Sequence, residues 1–132
     1  MQYQSSLNRD QLVELATKSY FGSVDRKDLE GTLACFHDEA LLSVQTSFTV
    51  HAGKPAIRRM FQDFFASYER IVHRDFRCSV DEKNGRICAR FIAELVDGEG
   101  QSTLLENTNF WRIRGDRFQE VYVYMSGANV LV

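Results

Sequence analysis

Two asparagines and a tryptophan alternate in the stretch 106–115, ENTNFWRIRG. On a β-strand Asn107, Asn109, Trp111 and Ile113 share one face, while Glu106, Thr108, Phe110 and Arg112 share the other. An amide donates and accepts hydrogen bonds without titrating, so such a pair can hold a carbonyl or a hydroxyl. Two amides on an inward face are more polarity than a dry core tolerates, because each unpaired group costs on the order of 1–3 kcal/mol. The competing account is a pair of structural amides bridged to backbone or buried water. Proton transfer near neutrality needs a histidine, and the chain has three: His37, His51 and His73. His37 lies in the acidic turn FHDEA and reads as surface. His51 ends a short strand just before a helix, at the mouth of a pocket or on solvent. Strict alternation from Phe76 turns His73 outward, and a β-bulge would reverse it. No pair of histidines joins a carboxylate at ligand spacing, so no metal is expected. Gly53-Lys54 lacks the Gly-x-x-x-x-Gly-Lys of a phosphate loop, and no cofactor motif is present.

The elements that must position these residues follow from periodicity. Asn8 with Gln11 three residues on is a capping box, after which Leu12, Ala16 and Tyr20 recur at helical spacing until Gly22. Asp25 is expected to cap a shorter helix with Leu29, Leu33 and Phe36 inward. ALLSV and FTVHA read as short strands. GKPAIRRMFQDFFASY is the clearest helix, with Pro55 in its first turn and Ile57, Met60, Phe61, Phe64 and Phe65 on one apolar face.

After Tyr68 the pattern is antiparallel sheet. Asn84-Gly85 signals a hairpin, and a two-residue loop there faces Val80 to Ala89, Cys78 to Phe91 and Phe76 to Ala93. A loop at 98–100 faces Phe91 to Asn107, Ala89 to Asn109 and Ile87 to Trp111. A loop at 114–116 faces Asn109 to Val121 and Asn107 to Val123. Each register puts the amides on the apolar face. Met125, Val123 and Val121 continue that wall. Tyr122, Tyr124, Glu120, Phe110 and Ile92 fall on the opposite, outer face of the sheet.

The whole chain sets limits. Its 132 residues, 44% apolar and 26% charged, suit one domain, 1–132, of α+β class. A net charge of −2 leaves no basic footprint for nucleic acid. No apolar run has the length of a membrane span, and MQYQSSLNRDQ lacks a signal-peptide core. Cys35, Cys78 and Cys88 are odd in number and form no Cys-x-x-Cys, so free thiols in a reducing, cytoplasmic setting are expected. Cys78 and Cys88 fall on opposite faces and should not pair.

The order of elements, with DRKDLEGTLACFHDEALL, HAGKPAIRRMF and the closing FWRIRGDRFQEVYVY, resembles the nuclear-transport-factor-2-like superfamily, and within it the SnoaL-like and ketosteroid-isomerase-like branch. The resemblance runs from Asn8 to Met125. It implies a cone, a cystatin-like α+β roll. Three helices pack in a curled, mostly antiparallel sheet that leaves an internal pocket open at one end. Enzymes and non-enzymes use this cone, so membership alone decides no function. Carried over from the isomerase, the tyrosine that donates to the substrate oxyanion falls on Tyr20 and its protonated carboxylic partner on Asn109. The general base falls on Val44, which takes no proton, so a steroid isomerase by that mechanism is not expected. Relatives also place a pocket-facing histidine near His73. Tyr20 otherwise reads as a core tyrosine.

Two accounts follow. In the first, the cone binds a flat, largely apolar molecule bearing a carbonyl or hydroxyl, against Val44, Phe61, Phe64, Phe91, Trp111, Val121, Val123 and Met125, with Tyr20, Asn107 and Asn109 as the sparse polar groups. Chemistry, if any, would be of lyase, isomerase or cyclase type, with His73 or His51 replacing the missing base. In the second, the cone is filled by its own side chains, and the chain is a non-catalytic homodimerising module working through the outer sheet face. The SGANVLV stretch, apolar at its end, is an alternative cover for that face.

Overall fold

The computed structural model describes residues 4–132. Asn8 opens the first helix as its spacing predicts. Its side chain accepts from the Gln11 N–H, and the Gln11 side chain accepts from the Asn8 N–H, both at 2.9 Å. This helix runs unbroken through α1 (Arg9–Glu14), a π-helical segment (Leu15–Phe21) and α2 (Gly22–Asp25). Gly22 does not end it, contrary to the sequence expectation. Its φ of −60° is ordinary helix, and the chain turns away only at Lys27, whose φ is 56°. The cap of α3 (Leu29–Leu33) is Asp28, whose carboxylate accepts from the Gly31 N–H at 3.0 Å. Asp25, expected in that role, is thereby left for another partner. Phe36 is not on α3 but opens β1 (Phe36–Val44), fully buried.

Strand β2 (Thr49–Ala52) and helix α4 (Lys54–Ser67) follow, with Pro55 in the first turn of α4 and Ile57, Met60, Phe61 and Phe64 buried. The remaining strands are β3 (Arg70–Asp81), β4 (Arg86–Val96), β5 (Ser102–Arg114) and β6 (Arg117–Tyr124). All six form one sheet in the order β2-β1-β6-β5-β4-β3, with β1 and β6 parallel and every other pair antiparallel. The three helices lie against the inner face of this curled sheet, the α+β cone expected.

The registers test the hairpin readings. Between β4 and β5 the predicted pairs form: Phe91 with Asn107, Ala89 with Asn109, Ile87 with Trp111. Between β3 and β4 the turn spans four residues, 82–85, rather than two, so Val80 faces Ile87 and Cys78 faces Ala89. Between β5 and β6 the turn is shorter than expected, with Arg114 opposite Arg117, and an irregularity after Arg112 sets Asn109 against Val123 and Trp111 against Val121. Both corrections are shifts of two residues at the amide stripe, so the inward face survives them.

One irregularity does change a face. Arg74 pairs with Ile92 and Arg77 with Arg90, so Asp75 and Phe76 together oppose Phe91. Asp75 takes the left-handed conformation, φ 59°, and the extra residue inverts the alternation. Cys78 and Val80 face inward on one side of this bulge, and Ile71 and His73 on the other.

Candidate functional site

The site is built where the first helix crosses the bulged strand. A π-helical turn bonds i to i+5 and rotates less per residue, which keeps the adjacent Tyr20 and Phe21 near one face; both are buried. One turn later α2 ends at Asp25. Its Oδ2 accepts the backbone N–H of His73 at 2.8 Å, and its Oδ1 lies 2.6 Å from His73 Nδ1. A carboxylate offers only acceptors, so Nδ1 carries the hydrogen and Nε2 is the nitrogen a bound molecule could meet. Phe21 stacks on the imidazole with ring centroids 4.2 Å apart, and Phe91 tilts against it at 5.6 Å. The His73 side chain is only 8% exposed. Its face is therefore fixed by three neighbours. Strict alternation had turned it outward; the bulge at Asp75 turns it in.

His73 borders a cavity of about 30 Å³. Tyr20, Phe61, Phe64, Phe91, Asn107, Asn109, Val123 and Met125, all anticipated, lie on its wall. Three residues expected there do not. Val44 and Val121 are fully buried in packing away from the cavity, and Trp111 is buried in the core with its ring 6.3 Å from Tyr20 and 6.0 Å from Phe118. Trp111 and Val121 pair with each other, two residues along their strands from the lining Asn109 and Val123, while Val44 lies beside Val123 on β1 without reaching the cavity. The wall also takes Val24, Leu95 and Leu105, and the half-buried Val130 and Leu131 from the stretch after β6.

Polar groups are few. Asn109 is buried and its Oδ1 has no hydrogen-bond partner among the described residues; the indole Nε1 of Trp111, off the cavity, is likewise buried without one among them. Asn107 Oδ1 accepts from the Ser126 N–H at 3.3 Å. Burial, with a smaller push from nearby Cys35, raises the Tyr20 phenol far above its ordinary value, so it keeps its proton and remains a donor. Burial also raises the Cys35 thiol to about 11. Cys35, Cys78 and Cys88 are all free thiols.

The other histidines sit elsewhere. His37 Nε2 lies 2.6 Å from the carbonyl of Arg114, on the outside of the molecule. His51 Nε2 donates to the carbonyl of Leu131 at 2.8 Å, and His51 itself does not line the cavity. Among the described residues no group of three or more His, Cys, Asp or Glu could hold a metal ion, and no helix is long and apolar enough to cross a membrane.

Asp25 is the functional candidate that sequence reasoning missed. Two aspartates three apart, Asp25 and Asp28, compete for one helix cap, and the loser was the signal.

The SnoaL-like domain profile matches residues 17–121, a span that holds Tyr20, Asp25, His73 and both asparagines. The chain belongs to the SnoaL-like domain family. No curated protein matches it. Solved structures do. A candidate polyketide cyclase from Xanthomonas campestris pv. campestris superposes with a TM-score of 0.79 at 21% identity, covering 89% of this chain and 92% of its own. A candidate aromatic ring hydroxylase from Novosphingobium aromaticivorans gives 0.80 at 19%, covering 92% and 90%. SalBIII, an epoxide hydrolase/cyclase-like enzyme with a role in pyran ring formation in the polyether salinomycin, gives 0.78 at 14%, covering 89% and 92%. At such identities these likenesses establish the fold of the SnoaL-like domain, the nuclear-transport-factor-2-like cone.

Proposed function

We propose that the cone binds a small, uncharged, largely apolar molecule bearing a carbonyl or hydroxyl, and that His73, held by Asp25, moves a proton on it. The observation that carries this reading is the 2.6 Å contact of His73 Nδ1 with Asp25 on a wall otherwise aromatic and aliphatic. Phe21 and Asp25 hold the ring in place, and that leaves Nε2 as its one nitrogen without a partner assigned by this pair. Its Nε2 lone pair takes a proton from the carbon beside a carbonyl, and Asp25 stabilises the imidazolium that forms. The enolate oxygen accepts from the Tyr20 hydroxyl and the Asn109 amide, neither of which has to change charge. Returning the proton to a different atom makes the reaction an isomerisation; loss of a leaving group makes it a lyase, and attack on a second carbonyl a cyclisation. The candidate polyketide cyclase and SalBIII among the structural neighbours suit that class. Val44, where the ketosteroid isomerase places its base, is buried off the cavity, so His73 is the base in this reading.

The second reading, a homodimerising module with a self-filled core, draws on two observations. A cavity of about 30 Å³ holds a water or two, whereas ligand pockets run to roughly 300–1,000 Å³. On the outer face Phe110 and Tyr124 are 47% and 41% exposed and pack edge to face at 5.8 Å. A dimer through that face is compatible with either reading, and a sedimentation measurement reading a monomer removes it. The three free thiols favour a reducing, cytoplasmic compartment.

Thermal unfolding of wild type and Asn109→Leu against steroids, polyketides, phenols and aliphatic ketones separates the two. A ligand at about 100 times its Kd adds about 2.7 kcal/mol, a rise of several degrees in Tm. The first reading predicts a hit that Asn109→Leu loses while the variant, relieved of an unpartnered acceptor, unfolds no earlier than wild type. No shift across the panel supports the self-filled module.

A further inference from the structure

The segment after β6 crosses the open end of the cone. Met125 N–H donates to Thr46 Oγ1 at 3.2 Å, and Ser126 Oγ accepts from the Glu106 N–H at 2.8 Å. Gly127 then passes so close to Leu105 that a Cβ on it would lie 2.7 Å from Leu105 Cδ2. From there Val130 and Leu131 descend to line the cavity that His73 borders. The far half of the segment is held by two side-chain bonds to the body, Asn129 Nδ2 to Thr49 Oγ1 at 3.2 Å and His51 Nε2 to the Leu131 carbonyl at 2.8 Å. It contains no helix or strand. It can therefore leave without breaking a ladder bond of the sheet, which is what a locally opening element requires.

We infer that residues 127–132 form a strap that closes the cavity and must lift before anything larger than water reaches His73. Val130 and Leu131 occupy the apolar volume in which a ligand would sit, and His51 is the latch. This explains why a wall with an imidazole–carboxylate pair and an unpartnered Asn109 Oδ1 encloses only about 30 Å³. Ser126 is the hinge, since Asn107 on the wall accepts its N–H. The ligand half of the inference rests on the proposed small-molecule reading; the closure does not.

Reaction with diethyl pyrocarbonate tests the closure without a ligand, by peptide mass analysis of His73 against His37 as an internal reference. The strap predicts that deleting residues 129–132 raises the His73 to His37 labelling ratio at least tenfold. The full-length His51→Ala/Asn129→Ala variant should raise it by a smaller factor and decides the matter if the deletion does not fold. An unchanged ratio in the folded variants overturns the strap. The same proteins are then titrated with 2-naphthol by fluorescence, where the strap predicts at least tenfold faster binding once it is removed. Faster labelling without any naphthol binding leaves the strap standing and counts against the small-molecule reading. Equal naphthol binding rates in all variants overturn the strap and leave that reading intact.

Discussion

At the scale of single residues, one carboxylate and two amides carry the proposed pocket reading. Asp25 satisfies both the backbone N–H and the ring Nδ1 of His73, so Asp25→Ala leaves two donors without their partner. The expected loss is about 1–3 kcal/mol in denaturant unfolding. Ring 15N shifts should also report that His73 no longer holds the hydrogen on Nδ1. A surface pair such as Arg58–Glu30, itself only 2.6 Å long, should cost well under that when broken, because water screens it. The amides were legible in the sequence because strand parity survives a register error of two. His73 was not, because a single left-handed residue, Asp75, inverts parity, and nothing in the RIVHRDFRCSVD of β3 marks where the extra residue goes. Asp25 was misread because Asp-Arg-Lys-Asp offers two equivalent caps and only the fold chooses between them.

At the scale of elements, the hairpins decide where the wall stands. Gly85 and Gly115 both take positive φ, 61° and 64°, yet a Cβ on Gly85 would lie 2.7 Å from the Ile113 carbonyl while one on Gly115 meets nothing among the described residues within 4 Å. Gly115→Ala should therefore cost only the left-handed penalty of about 1–2 kcal/mol. Gly85→Ala should cost clearly more and disturb the Ile113 N–H bond to the Gly85 carbonyl at 2.8 Å. Chemical denaturation of the two variants side by side checks the order. The Asn84-Gly85 signal located that turn but not its length, since Asn84 is bonded back to Asp81 and the loop takes four residues. Helix α4 was legible throughout, because a period of 3.6 with Pro55 at its start leaves one solution. The first helix outran its expected end because Gly22 accommodates helix geometry as readily as it ends it. The strap was half legible: the apolar end of SGANVLV announced burial, but only tertiary structure aims Val130 and Leu131 at the cavity instead of the outer sheet.

At the scale of the whole molecule, burial of protonated acids ties stability to pH. Cys35 is held protonated up to about 11 and Tyr20 further still, each above its unfolded value. The unfolded chain then releases protons first, so the contribution of these two groups is complete below pH 9 and is lost as pH rises, through 9 to about 11 for Cys35 and from 10 upward for Tyr20. Tyr20→Phe should remove the portion that begins at pH 10, worth up to about 1.4 kcal/mol for each further pH unit, in unfolding curves taken from pH 8 to 11. The cone itself was readable from the order of its elements, whereas its near-closed cavity depends on how six strands curl and on what seals the open end. The measurement that bears most directly on the proposed chemistry is proton exchange by NMR at the carbons beside the carbonyl of 2-tetralone in D2O. The account predicts that wild type accelerates exchange and that His73→Gln loses it by about 10²–10⁴-fold while still folding. A wild type that binds 2-tetralone without exchanging its protons, or a His73→Gln variant that exchanges them equally fast, would contradict it.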